Sequence, residues 1–384
     1  MRVITLQQNR KILFGFGASD SVGAETARLG DRALVVTGRT AMRKTGILER
    51  VQESLSRAGV SVTIFDRVES DPSLDTVAAG VVAARSARCN VVVALGGGSA
   101  LDTGKAVGGL ILQPESLQTY FAGKAKMTAP GLPIIALPTT AGTGAEATMN
   151  AVLSDPRAGV KRSLRSEILL PSVALVDPGL TMQLPREPTV WSGMDALTQA
   201  MECYLTRAAH PVSDALSLQS AALLYRALPA VAEDGTDRDA REKMMLGSTM
   251  AGMAFSNAAL GAAHGLSHPL GAHLRLAHGF LCGVQLPEIL ELNKDSGFRD
   301  HAGRTTAEKL DTLGSALGFS SGDSLVEGIR ALRAKVGLPS SLAAHGLKPE
   351  LFRTIAAECR SGSMTNNPRE LSDDDIVRFL GKLA

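Results

Sequence analysis

Apolar positions in the first half of the chain fall into short unbroken runs separated by longer periodic stretches, and this alternation predicts strands interleaved with helices. Ala33, Leu34, Val35, Val36 and Thr37 form a β-branched run ended by Gly38, and a helical pattern follows through Ile47, Val51, Leu55 and Ala58 to Gly59. Residues 61–65 read as the next strand, and Asp71, Pro72 and Ser73 open a helix carrying Val77, Val81 and Ala84. Residues 90–95 and 132–137 are continuous apolar runs, the pattern of parallel strands covered on both faces. A helix is expected over 99–110 and one more extended segment over 172–177. The βαβα rhythm implies a doubly wound, mostly parallel sheet.

After Pro185 the texture changes. Long amphipathic patterns over 190–206, 212–227, 239–257, 298–317 and 324–336 replace the strand runs. The boundary is expected near residues 183–188, giving an α/β domain over 1–185 and an all-α domain over 186–384. Neither a repeat nor a low-complexity tract interrupts this plan.

Composition narrows the function classes. With 45% hydrophobic and 20% charged residues the chain can fill two cores. A net charge of +2 and an aromatic content of 4% argue against a nucleic-acid partner or an anionic membrane surface. No apolar run reaches about 18 residues, so no membrane span is expected. Cys89, Cys203, Cys282 and Cys359 are scattered without a CxxC pair, which suits a reducing, cytoplasmic setting.

Two polar turns carry the first chemistry. Gly96, Gly97, Gly98 and Ser99 directly follow the 90–95 strand, with Asp102 and Lys105 one turn on. Glycines there let backbone approach a pyrophosphate, and the helix start offers free N–H groups and its positive dipole end. Pro138, Thr139, Thr140, Gly142, Thr143, Gly144 and Glu146 form a second turn after the next strand, where hydroxyls would face the same crevice. Gly15-Phe16-Gly17 lacks a third glycine and reads as a structural turn.

The second chemistry is a candidate metal constellation. Asp195 and Gln199 are four apart and share a helix face. Downstream, His264, His268, His273 and His278 place four of the chain's seven histidines within fifteen residues. Imidazoles clustered with a distant carboxylate are what a borderline divalent metal requires.

These motifs, with Val176-Asp177-Pro178, Leu180-Thr181, Gly193-Met194-Asp195-Ala196-Leu197-Thr198 and Asn367-Pro368-Arg369, make nearly the whole chain resemble the iron-containing (group III) alcohol dehydrogenase family. The resemblance implies a dehydroquinate-synthase-like fold: an N-terminal dinucleotide-binding domain, a helical C-terminal domain and an active site in the cleft between them. It implies that Gly97, Gly98 and Ser99 hold the pyrophosphate, with Asp102 and Leu180 in the coenzyme set. Thr139, Thr140 and Thr143 would line the adenine and ribose side, and Asn150 and Lys161 would reach the nicotinamide. Asp195, His264 and His278 match three of the family's four metal ligands, and His268 matches a histidine near nicotinamide and substrate. Gln199 stands where the family has its fourth, histidine ligand. An amide oxygen is a poorer donor for Fe2+ or Zn2+, so occupancy by a divalent metal hinges on that position.

The resemblance further implies hydride transfer between NAD(P) and a small alcohol or aldehyde, and a homo-oligomer. Many family members carry an acidic residue after the first strand to bond the ribose hydroxyls. Here Gly38 stands there, followed by Arg39, Arg43 and Lys44, which favours NADP(H) over NAD(H). A maleylacetate reductase-like oxidoreductase, a lyase on the same fold and a weakened binding protein remain alternatives.

Overall fold

The structure is a computed structural model and describes residues 3–384. The chain divides into two compact units, one of residues 7–140 and 144–184, the other of residues 3–6, Ala141–Thr143 and Pro185–Ala384.

The first unit contains eight strands: β1 (Lys11–Phe14), β2 (Arg32–Gly38), β3 (Ser61–Val68), β4 (Val91–Gly96), β5 (Ile134–Pro138), β6 (Asn150–Asp155), β7 (Val160–Arg165) and β8 (Val173–Val176). Six form one sheet in the order β1-β8-β5-β4-β2-β3, and every pairing in it is parallel. Side chains alternate strictly across it. Leu34, Val36, Val92 and Ile134 enter the core on one face, while Ala33, Val35, Val91, Val93, Ile135 and Leu137 enter the core on the other. Both faces are buried, which is why these strands read as continuous apolar runs.

Strand order sets where a ligand can sit. The chain leaves β2 outward to β3, then returns to the opposite side of β2 to place β4, and continues outward to β5. The order therefore reverses between β2 and β4, and ligands of open α/β sheets bind beyond the carboxyl ends of strands at such a switch point. The polar turns after β2, β4 and β5 lie at that edge, in register through the Thr37–Leu95 and Gly96–Pro138 pairs.

The sequence pattern missed the antiparallel hairpin of β6 and β7. Its second strand carries Lys161, Arg162 and Arg165, a charged run with little apolar signal. It also missed β1, which immediately precedes the Gly15–Gly17 turn.

The second unit is helical, and no strand of three or more residues occurs in it among the described residues. Its helices Arg186–Leu205, Pro211–Glu233 and Arg238–Asn257 match the expected periodic stretches, as does Gly322–Lys335. The stretch expected as one helix over 298–317 becomes helical only at Thr306–Leu317. Before it, Asp300 turns the chain by accepting hydrogen bonds from the backbone of Ala302 and Arg304, and Thr305 caps the helix reciprocally with Glu308. Helices Ala262–Leu274 and His278–Lys294 carry the histidine cluster, each with an internal proline, Pro269 and Pro287. Among the described residues no helix is long and apolar enough to cross a membrane.

Candidate functional site

In the sheet unit, β4 ends at Gly96, whose φ of +145° is a conformation glycine favours, and helix Gly98–Leu110 begins immediately after. Gly97 caps that helix without a side-chain hydrogen bond, so no capping side chain occupies its first-turn N–H groups. A Cβ on Gly97 would lie 3.3 Å from Thr140 Cγ2, so the two turns approach closely. Thr139 N–H donates to the Gly96 carbonyl at 3.0 Å and locks them together. Glycine backbone, an open helix N-terminus and neighbouring threonines fit the pyrophosphate of a dinucleotide.

Other residues of the expected coenzyme set have internal partners. Asp102 accepts from Val152 N–H at 3.0 Å and lies 3.4 Å from Lys105 Nζ, tying helix Gly98–Leu110 to β6. Burial pushes the Asp102 carboxyl up and the Lys105 ammonium down, against the attraction each gains from the other. Asn150 donates to Ser163 Oγ and accepts from Arg165, both inside the hairpin. Lys161 is paired with Asp71. Leu180 is buried in the short 3₁₀ turn Pro178–Thr181. Thr143 belongs to the helical unit, where its carbonyl accepts from Gln199 Nε2 at 3.2 Å.

At the end of β2, Gly38 has open space: a Cβ there would meet only the Val68 carbonyl, at 3.8 Å. Arg39 is exposed and makes no ion pair among the described residues. Arg43 binds Asp66 at 2.7 Å and holds its carboxyl below the usual range against a partial desolvation cost.

The helical unit gathers the metal-type donors. Asp195, on helix Arg186–Leu205, is buried; its Oδ1 makes no hydrogen bond of ordinary geometry and lies 3.4 Å from His264 Nε2 and 3.7 Å from His278 Nε2. His278 reaches it because its helix approaches the Asp195 helix backbone to backbone. A Cβ on Gly279 would fall 2.2 Å from the Trp191 carbonyl and 3.1 Å from Asp195 Cβ, so no larger residue fits. His268, one turn beyond His264, stacks on the His278 ring with centroids 5.2 Å apart.

Glu202 was absent from the sequence-derived set. It lies seven residues after Asp195, two turns along the same helix face, a spacing that could have signalled it. One carboxylate oxygen accepts Ala263 N–H at 2.7 Å at the start of helix Ala262–Leu274, and the other contacts His264 Nδ1 at 2.6 Å. A carboxylate on Nδ1 fixes the tautomer and turns the Nε2 lone pair toward the cluster. Burial disfavours a charged His264, but Asp195 and Glu202 outweigh it and raise its pKa to about 9. Burial likewise opposes ionisation of Asp195, and His264 and His278 still keep that carboxyl below the usual range. Two buried carboxylates thus demand a cation, and a proton on His264 meets the demand when no metal does. An orphaned carboxylate oxygen facing two imidazole nitrogens fits a divalent metal.

Asn367 organises the periphery. It accepts from Ala262 N–H at 3.1 Å and exchanges amide hydrogen bonds with Asn293, anchoring the start of the His264 helix. A second gathering, Asp214 and Asp300 with His301, already holds the cations of Lys309 and Arg304 and needs no metal.

Comparison with known proteins finds matches along nearly the whole chain. The model of the iron-containing alcohol dehydrogenases matches residues 9–178, and that of the C-terminal part of the Fe-containing alcohol dehydrogenase family matches residues 189–384. The NAD-dependent methanol dehydrogenase of Bacillus methanolicus is 32% identical over 372 residues, spanning 96% of both chains. Lactaldehyde reductase of Escherichia coli is 34% identical over 382 residues, spanning 97% of this chain and 98% of that one. The crystal structure of a 1,3-propanediol oxidoreductase superposes with a TM-score of 0.93 at 32% identity, covering all of both chains.

Replacing Glu202 with Gln removes one of the two charges that hold His264 protonated. In the metal-free protein the His264 pKa, followed by NMR, falls below 9, and affinity for a divalent metal drops about 10–100-fold. An unchanged titration and affinity would show that Glu202 does not govern the imidazole.

Proposed function

The chain belongs to the iron-containing alcohol dehydrogenase family, and on that premise we propose that it is an NAD(P)-dependent, metal-assisted enzyme interconverting a small alcohol and its aldehyde or ketone. The observation that carries the proposal is the buried Asp195 Oδ1, without a hydrogen bond, facing His264 Nε2 at 3.4 Å and His278 Nε2 at 3.7 Å.

A nicotinamide coenzyme held at the turns after β4 and β5 would supply or accept the hydride. Asp195, His264 and His278 would hold a divalent metal, which would supply Lewis acidity. The remaining work falls to the chain. Gly97, Gly98 and Ser99 present backbone N–H groups to the pyrophosphate, and Thr139 and Thr140 line the neighbouring turn. Glu202 keeps Nε2 of His264 unprotonated for coordination by accepting the proton on Nδ1. Reduction needs one proton at the former carbonyl oxygen, and His268, stacked on His278, is the group we assign to deliver it from solvent. In the oxidative direction the same imidazole removes that proton.

For the coenzyme, the reading is NADP(H) ahead of NAD(H). No carboxylate follows β2 to bond a ribose 2′-hydroxyl, Arg39 is exposed there, and Arg43 neutralises Asp66 on β3. The methanol dehydrogenase relative is NAD-dependent, so the difference would lie in these few residues.

Two experiments test these readings. Purified protein should oxidise reduced coenzyme with a short aldehyde or oxo compound, lose that activity on chelation, and recover it with Fe2+ or Zn2+. Coenzyme binding without turnover across the panel, or turnover indifferent to chelation, would contradict the metal-assisted assignment. Gly38→Asp, which the open space at that position accommodates, should shift the NADP/NAD ratio of kcat/KM toward NAD by at least about tenfold. An unaltered ratio would remove the 2′-phosphate argument.

A further inference from the structure

A fourth donor stands beside the three that meet at Asp195. Cys282, one turn beyond His278 on helix His278–Lys294, is fully buried and places Sγ 3.6 Å from His278 Nε2. Asp195, His264, His278 and Cys282 each offer one ligand atom, and these atoms all lie within 4.8 Å of one another. Tetrahedral coordination with bonds of about 2.0–2.3 Å separates neighbouring donors by roughly 3.3–3.8 Å. The separations of 3.4, 3.7 and 3.6 Å recorded among these residues fall in that interval.

The backbone explains why the thiol is there. A Cβ on Gly283 would fall 2.8 Å from Met194 Cβ, and Gly279 meets Trp191 as closely, so this helix lies directly on the Asp195 helix with Cys282 between the two glycines. Gln199, at the position of the family's fourth ligand, has its amide nitrogen engaged by the Thr143 carbonyl. Ser267 Oγ, which gives its proton to the Ala263 carbonyl at 2.7 Å, lies 3.3 Å from Cys282 Sγ.

We propose that Cys282 is a metal ligand of this chain, its thiolate joining Asp195, His264 and His278 around one divalent ion of borderline softness such as zinc or cobalt. As the Sγ–metal bond forms, the thiol proton leaves to solvent. Sulfur thereby supplies the donor strength that an amide at position 199 lacks. The assignment rests on the metal reading of the same site and adds to it a ligand.

The test is titration of the metal-free, full-length protein with Co2+, followed by electronic absorption and elemental analysis. One equivalent should bind and produce a thiolate-to-cobalt charge-transfer band in the near ultraviolet. Cys282→Ala and Cys282→Ser should lose the band and bind cobalt at least about tenfold more weakly, since even residues behind the ligands cost that much when removed. One equivalent bound without the band, or variants with unchanged spectrum and affinity, would overturn the assignment while leaving the three-donor metal site standing. No cobalt bound by the unmodified protein would overturn both. Should the variants fail to fold, the spectrum of the unmodified protein decides by itself.

Discussion

Taking a carboxylate out of water costs several kcal/mol unless positive charge is brought to it, and Asp195 is such a buried group in the helical unit, with Oδ1 lacking a hydrogen bond of ordinary geometry. Its surroundings are arranged to bring positive charge to one oxygen. Helix His278–Lys294 lies on the backbone of helix Arg186–Leu205 at Gly279 and so delivers His278, while Glu202 holds the Nδ1 side of His264 and the start of its helix together. Glu202 adds a second negative charge to the first, which deepens the need for a cation. A proton on His264 answers it in part. A divalent ion answers it more completely, and it brings Lewis acidity with it.

The sheet unit offers the complementary features, those that suit an anionic ligand. These are backbone N–H groups at an uncapped helix start, glycines that allow close approach, and a switch point in strand order. Asp102 and Lys105, which stand in the same motif, serve the unit internally by fastening helix Gly98–Leu110 to β6 and to the Ala145 carbonyl. Asn150 and Lys161 are likewise bonded within and beside the hairpin.

Parallel strands were legible because burial on both faces leaves an uninterrupted apolar run, as in Val91 to Leu95 and Ile134 to Leu137. The β6–β7 hairpin was not, because half of it is charged surface. The histidine cluster was legible by count, and His264 and His278 within it, with Asp195, were singled out by the family resemblance. Cys282 and Glu202 were not, although each stands at helical spacing from a recognised donor: Cys282 four residues after His278, Glu202 seven after Asp195. For Cys282 this required knowing that residues 278–294 form a helix, which Pro287 and two glycines obscured in the sequence. Gly279 shows the same limit, since its meaning is the Trp191 backbone pressed against it, a neighbour 88 positions away in sequence.

Anomalous X-ray scattering from a crystal of the protein loaded with one divalent metal tests the central claim most directly. The account predicts a single strong peak at bonding distance, about 2.0–2.2 Å, from Asp195 Oδ1, His264 Nε2 and His278 Nε2. A peak located elsewhere, or none at that carboxylate oxygen in a metal-replete crystal, would contradict it.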